Sequence, residues 1–152
     1  YALDFPARRP SPCAIEGIGD ALGAEPEATL CAADCMAVFG SQEEVLALRP
    51  DFAKVAALKC WALIATAPGK DCDFVSRFFA PAQGIDEDPV TGRAHTSLTP
   101  YWAERLGKKK IFGRQVSERG GELWCEDRGD RVKIAGRAIQ YLEGVINVPQ
   151  PK

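Results

Sequence analysis

The stretch Gly84–His95, GIDEDPVTGRAH, places three acids, a proline and a glycine just ahead of a helical pattern. From its second half onward Val90, Ala94, Leu98, Tyr101, Trp102 and Leu106 recur at helical spacing, which predicts a helix of about four turns. Gly107 is a natural stop, and Lys108, Lys109 and Lys110 follow where positive charge complements the negative end of the helix dipole. The charged start has two readings. As a cap, Asp88 is a favoured N-cap residue and Pro89 suits the first helical position, where its missing N–H is no loss. As a site, the helix start offers free N–H groups and partial positive charge to a substrate carboxylate. Thr91 and Gly92 would then stand close to the anion, and the crowded acids would offer a carboxyl for proton transfer. Spacing alone leaves both open.

Upstream, CWALIATA and DFVSRFFA are apolar runs separated by PGKDC, as in a hairpin or a neighbouring pair of strands. Arg77, set among the apolar residues of the second run, predicts an acidic partner at a sheet edge or cleft. YALDFP alternates and stops at Pro6, as a strand does. CAIEGIGDALG spaces Ile15, Ile18 and Leu22 along a helix face that ends at Gly23. TLCAADCMAVFG reads as a strand interrupted at Asp34. Ser41 and Glu44 form a capping box for a short helix, and PDFAKVAAL predicts another turn or two. Downstream, Arg119-Gly120-Gly121 and Asp127-Arg128-Gly129-Asp130 punctuate three or four short strands. Gln115, Ser117 and Arg119 alternate along one side of a strand that faces a cleft or solvent. The pattern predicts an α+β domain over residues 1–148, a curved, barrel-like antiparallel or mixed sheet around one central helix, with a polar tail at 149–152.

The composition bounds the function. The chain has 152 residues, one domain's worth, enough to bury roughly two thirds of its unfolded surface. A net charge of −2 gives no electrostatic reason for nucleic acid or an anionic membrane as partner. No apolar run approaches the ~20 residues of a membrane span, so a cytoplasmic protein is expected. Six cysteines (Cys13, Cys31, Cys35, Cys60, Cys72, Cys125) fall largely in apolar segments, which predicts reduced, mostly buried thiols rather than disulfides. No C-x-x-C pair occurs and the single histidine, His95, is far from Cys31 and Cys35, so no metal site is expected. Trp61, Trp102 and Trp124 read as core or interface anchors, and His95 as a packed or hydrogen-bonded residue.

DFVSRFFAPAQGIDEDPVTGRAH, followed by PYWAERLGKKK and QVSERGGEL, resembles the phenazine-biosynthesis PhzF-like family of isomerases. LDFPA, the Pro50–Phe52 stretch and RVKIAG fit the same family. The resemblance covers nearly the whole chain and implies one domain of the diaminopimelate-epimerase fold, in which two similar domains, each a barrel-like sheet around a helix, flank the active-site cleft. It also implies that this chain is the C-terminal half of a protein about twice as long. The start at Tyr1, already strand-like, gives the same expectation. By similarity Asp88 is a catalytic acid/base, Gly92 lies at the substrate-anion position, and a glutamate in the absent N-terminal half is the second acid/base. The substrate implied is a small carboxylate-bearing metabolite, with neither metal nor organic cofactor. Arg93 replaces the family's serine and would either pair with a substrate carboxylate or fill the anion pocket. The competing expectation is a non-catalytic module that binds a small anion or a protein, with a homodimer imitating the two-domain cleft as its variant.

Overall fold

Leu63–Pro68 (β5) and Phe74–Phe79 (β6) are buried almost throughout, because each of their faces is covered. Strands of that kind read as continuous apolar runs rather than alternating ones. The computed structural model describes residues 1–148, and the tail expected at 149–152 lies outside them. Among the described residues nine strands form a single sheet: Ala2–Pro6 (β1), Ser11–Pro12 (β2), Ala28–Cys31 (β3), Cys35–Val38 (β4), β5, β6, Lys110–Gln115 (β7), Gly121–Asp127 (β8) and Arg131–Ala135 (β9). From β9 back to β2 they lie side by side in chain order. Only β1 departs, pairing with β9 at the far edge. The sheet is mixed and open, so the expected barrel-like wrap stops short of closure: β1 and β2 form its two edges.

Two pairs are parallel, β4–β5 and β6–β7, and each needs a crossover. The first carries Gln42–Ala47 (α2) and Phe52–Ala57 (α3), and the second carries Gly92–Leu106 (α4). β5 and β6 are antiparallel, so the two parallel pairs run in opposite directions. Right-handed crossovers must then lie on opposite faces. That is the arrangement found. On one face Ala94, Leu98 and Trp102 of α4 pack with Ile64, Phe74 and Phe78. On the other, Val45, Val55 and the short helix Ile18–Leu22 (α1) pack with Leu63, Val75 and Phe79.

The local signals behave largely as their chemistry requires. Gly23 and Gly107 end α1 and α4 in left-handed conformation, although α1 starts only at Ile18. Asp34 divides its apolar run into the two strands of the β3–β4 hairpin. At Ser41 the Oγ accepts from the Glu44 N–H at 3.3 Å and the hydroxyl donates to the Glu44 carboxylate at 2.8 Å. Ser41→Ala is expected to lower stability by about 1 kcal/mol in urea unfolding, since α2 loses its cap. Within α4, Pro100 cannot donate to the Thr96 carbonyl, and the Arg8 N–H donates to it instead at 2.9 Å. The gap in the helix thereby anchors the connection after β1.

The cysteine expectation needs correcting. Cys13 and Cys31 form a disulfide. Ser11 faces Cys31 across β2–β3, so Cys13 sits diagonally beside Cys31 on the same face, with Cα atoms 5.8 Å apart. The other four are free thiols, of which Cys35 and Cys125 are buried as expected. After Gly136 the described chain has no regular element. Ile139, Tyr141, Leu142, Val145, Ile146 and Val148 are each at least 80% exposed there.

Candidate active site

The three acids ahead of α4 have three separate fates. Asp86 is exposed. Glu87 takes both prongs of the Arg77 guanidinium at 2.8 Å, supplying the acid expected for that arginine. Arg77 also donates to the carbonyls of Val45 and Leu48 near the end of α2, so one cation ties the loop, the sheet and a helix terminus together. Asp88 is left for the site.

Asp88 does not cap the helix, contrary to the reading of Asp88-Pro89 as N-cap and first helical residue. The helix begins at Gly92 and its N-cap residue is Thr91, whose side chain makes no capping bond. The cause is a tertiary competitor. Gln115, the last residue of β7, is 1% exposed and reaches under the loop. Its Oε1 accepts from the Thr91 N–H at 2.8 Å, while its Nε2 donates to the Asp88 carbonyl at 2.5 Å and to Thr91 Oγ1 at 3.1 Å. The Thr91 hydroxyl in turn donates to Asp88 Oδ2 at 2.5 Å. The Asp88 N–H donates to the Phe78 carbonyl at 3.0 Å, so both peptide groups of this residue are fixed. The carboxylate is half-buried, and among the described residues its other oxygen has no side-chain or backbone donor.

His95 supports the same turn from beneath. Its Nδ1 lies 2.7 Å from the Thr91 carbonyl, which only accepts, so Nδ1 carries the proton. The ring is fully buried against Phe74, and its Nε2 has no partner among the described residues. Burial drives the His95 pKa down to about 4, against the pull of the Thr91 bond, so the ring is neutral at physiological pH.

Of the anticipated site residues, the fold unites Asp88, Thr91 and Gly92. A side chain built on Gly92 would meet nothing within 4 Å, which leaves open space before the first turn of α4. A cavity of about 430 Å³ is walled by Glu87, Pro89, Ser117, Glu118 and Arg119; Asp88, Thr91 and Gly92 do not line it. Ser117 and Arg119 thus face a cavity, whereas Gln115 points inward. Arg93 is drawn away from the group. Its Nε donates to both carboxylate oxygens of Asp34, at 3.0 and 3.1 Å, and its guanidinium lies over Trp61, 4.2 Å from the ring centre. Burial pushes the Asp34 pKa up, while the Arg93 bond pulls it down. Sequence reasoning missed Gln115 as the clamp and Asp34 as the anchor. The available signals were the polar residue ending an alternating strand and the lone acid inside an apolar run. Among the described residues no cluster of histidine, cysteine or acids is arranged to hold a metal ion, and no helix is long and apolar enough to cross a membrane.

Residues 17–144 match the family described as phenazine biosynthesis-like protein. An uncharacterized isomerase of Pseudomonas aeruginosa is 51% identical over 148 residues, which cover 96% of this chain and 57% of the relative. A second one from that organism is 46% identical over 97% of this chain and 57% of its own length. The crystal structure of an Enterococcus faecalis protein of the PhzF family superposes with a TM-score of 0.87 at 41% identity, over 90% of this chain and 53% of that one. The chain therefore spans a little over half the length of these relatives. With seven of the nine described strands and the central helix inside the match, the chain belongs to the phenazine biosynthesis-like protein family.

Proposed function

We propose that this chain forms one wall of the cleft of a cofactor-independent isomerase, which removes and returns a proton on a small carboxylate-bearing metabolite. The observation that carries the reading is the Asp88 carboxylate. One of its oxygens is fixed by the Thr91 hydroxyl, the other has no protein donor among the described residues, and both its sequence neighbours wall a cavity. Asp88 is the acid/base. Thr91 and Gly92 form the anion cradle, where unpaired N–H groups of the first helical turn meet the substrate carboxylate. Arg93, braced by Asp34 and Trp61, is held away from the cradle. The second acid/base comes from outside this chain, from the further half that the relatives' length implies. The uncovered apolar segment from Ile139 to Val148 suits packing against such a body. The test is deuterium uptake from D₂O into small carboxylic acids carrying an acidic C–H, followed by mass spectrometry with the protein that holds this chain. Uptake at a single carbon is expected, and none from any substrate class would sink the reading.

A second reading rests on Arg93. With that side chain in place of a small hydroxyl, the half can act as a non-catalytic anion-binding module, two copies covering each other's apolar segments. Sedimentation separates the two: a tight dimer of this chain, stabilised by a small carboxylate but exchanging no protons, favours the module.

A further inference from the structure

Four of the six cysteines converge at the sheet edge farthest from β1. Cys13 lies diagonally from Cys31 across β2–β3, and Cys31 lies directly opposite Cys35 across β3–β4. Directly opposed residues project from the same face with Cα atoms roughly 4.5–5.5 Å apart, inside the range that a disulfide spans. Cys35 pairs in register with Leu63, and Cys60 approaches it from the segment leading into β5. Cys31, Cys35 and Cys60 line one cavity of about 230 Å³, and Cys31 and Cys35 also line a second of about 430 Å³. Cys31 and Cys60 are half-buried, so the cluster is open to small thiols in solution. Cys72 and Cys125 do not line either cavity.

We propose that Cys13, Cys31, Cys35 and Cys60 form a thiol–disulfide exchange centre in which the Cys13–Cys31 disulfide oxidises the Cys35–Cys60 pair. The Cys35 thiolate attacks Cys31 Sγ. The Cys13–Cys31 bond breaks, a Cys31–Cys35 bond forms, and Cys13 leaves as a thiolate that takes up a proton. Cys60 then attacks Cys35 Sγ, closing Cys35–Cys60 and releasing Cys31, which is protonated in turn. Two electrons pass from one cysteine pair to the other, two protons move with them, and no outside oxidant is needed.

The order of attack follows from the surroundings. Cys35 lies directly opposite Cys31 across β3–β4, whereas Cys60 lies outside the strands, so Cys35 is the attacking group. The neighbouring Cys60 thiol lowers the Cys35 pKa, against burial and the Asp34 charge, which favours the same order. Cys60, beside Cys35 in the same cavity, then resolves the mixed bond. Asp34 and Trp61, the two supports of Arg93, directly adjoin Cys35 and Cys60. Exchange would thus act on the segments that brace the arginine nearest the helix start. The centre itself stands without the assignment of Asp88.

The test equilibrates the wild-type chain and Cys60→Ser in glutathione buffers of graded potential. Samples are then quenched with acid, alkylated and mapped as peptides. In wild type a Cys35–Cys60 linked peptide is expected beside Cys13–Cys31, its ratio to the free dithiol changing about tenfold for each ~30 mV of buffer potential. In Cys60→Ser the resolving thiol is gone and a Cys31–Cys35 linked peptide should accumulate, while Cys72 and Cys125 stay alkylated throughout. If Cys35 is fully alkylated in the wild type at every potential, with Cys13–Cys31 its sole linkage, the proposal is overturned. The wild-type result decides even where the variant fails to fold.

Discussion

Asp88→Asn, in the protein that holds this chain, is expected to slow substrate proton exchange by about 10²–10⁴-fold, the range for loss of a positioned acid/base. The fold should not notice. The Asn Oδ1 still accepts from the Thr91 hydroxyl, and the bonds from the Asp88 N–H to Phe78 and from Gln115 to the Asp88 carbonyl involve only the backbone. What the amide cannot do is take a proton and give it back. The loss should therefore appear in kcat with KM little changed, since the proposed anion cradle of Thr91 and Gly92 is untouched by the substitution. Deuterium wash-in rates measure the first quantity and their substrate dependence the second. An Asn variant exchanging at the wild-type rate would remove Asp88 from the chemistry.

Stability should fall by about 3 kcal/mol as the pH drops from 7 toward 4, because His95 is neutral in the fold. The sign follows from the proton count. In the unfolded chain the imidazole has its ordinary pKa of 6.5, and in the native state burial lowers it to about 4. Between those values the unfolded state binds the extra proton and the native state does not, so acid favours unfolding. The contribution is complete above pH 6.5 and is lost progressively as pH falls to about 4. Urea unfolding at pH 7 and pH 4.5 measures the difference. His95→Asn provides the control: it keeps a donor near the Thr91 carbonyl without titrating in this range, and its pH slope should be flatter. Equal slopes in the two proteins would mean that the histidine is already protonated in the fold.

The sheet and its central helix were legible because their signals are local. The apolar period from Ala94 to Leu106, the paired runs around PGKDC and the Ser41–Glu44 box each depend on neighbours within a few residues. The grouping of Asp88, Thr91 and Gly92 was legible, but the bonds that hold it were not. Asp88-Pro89 is a sound local start for a helix, yet Gln115, 24 residues further on, claims the Thr91 N–H and moves the cap. Arg93 follows Gly92 in the chain, but its carboxylate partner is Asp34, 59 residues upstream. The Cys13–Cys31 bond depends on the β2–β3 register, which two residues of β2 are too few to announce. In each case the deciding partner comes from another element, and one-dimensional spacing carries no record of it.

The place of β1 has a consequence for how this chain is made. Every other strand meets a neighbour that precedes it or follows next in sequence, so pairing can proceed as the chain lengthens. β1 has one partner, β9, and Ala2 faces Ala135. A ribosome adding about 5–20 residues per second takes roughly 7–27 s to deliver that partner. Throughout that interval β1 lacks the strand it pairs with among the described residues. Long-range closure of this kind also slows refolding of the finished chain. Synthesis rate, rather than the packing of α4, therefore sets the earliest moment at which this sheet can be complete.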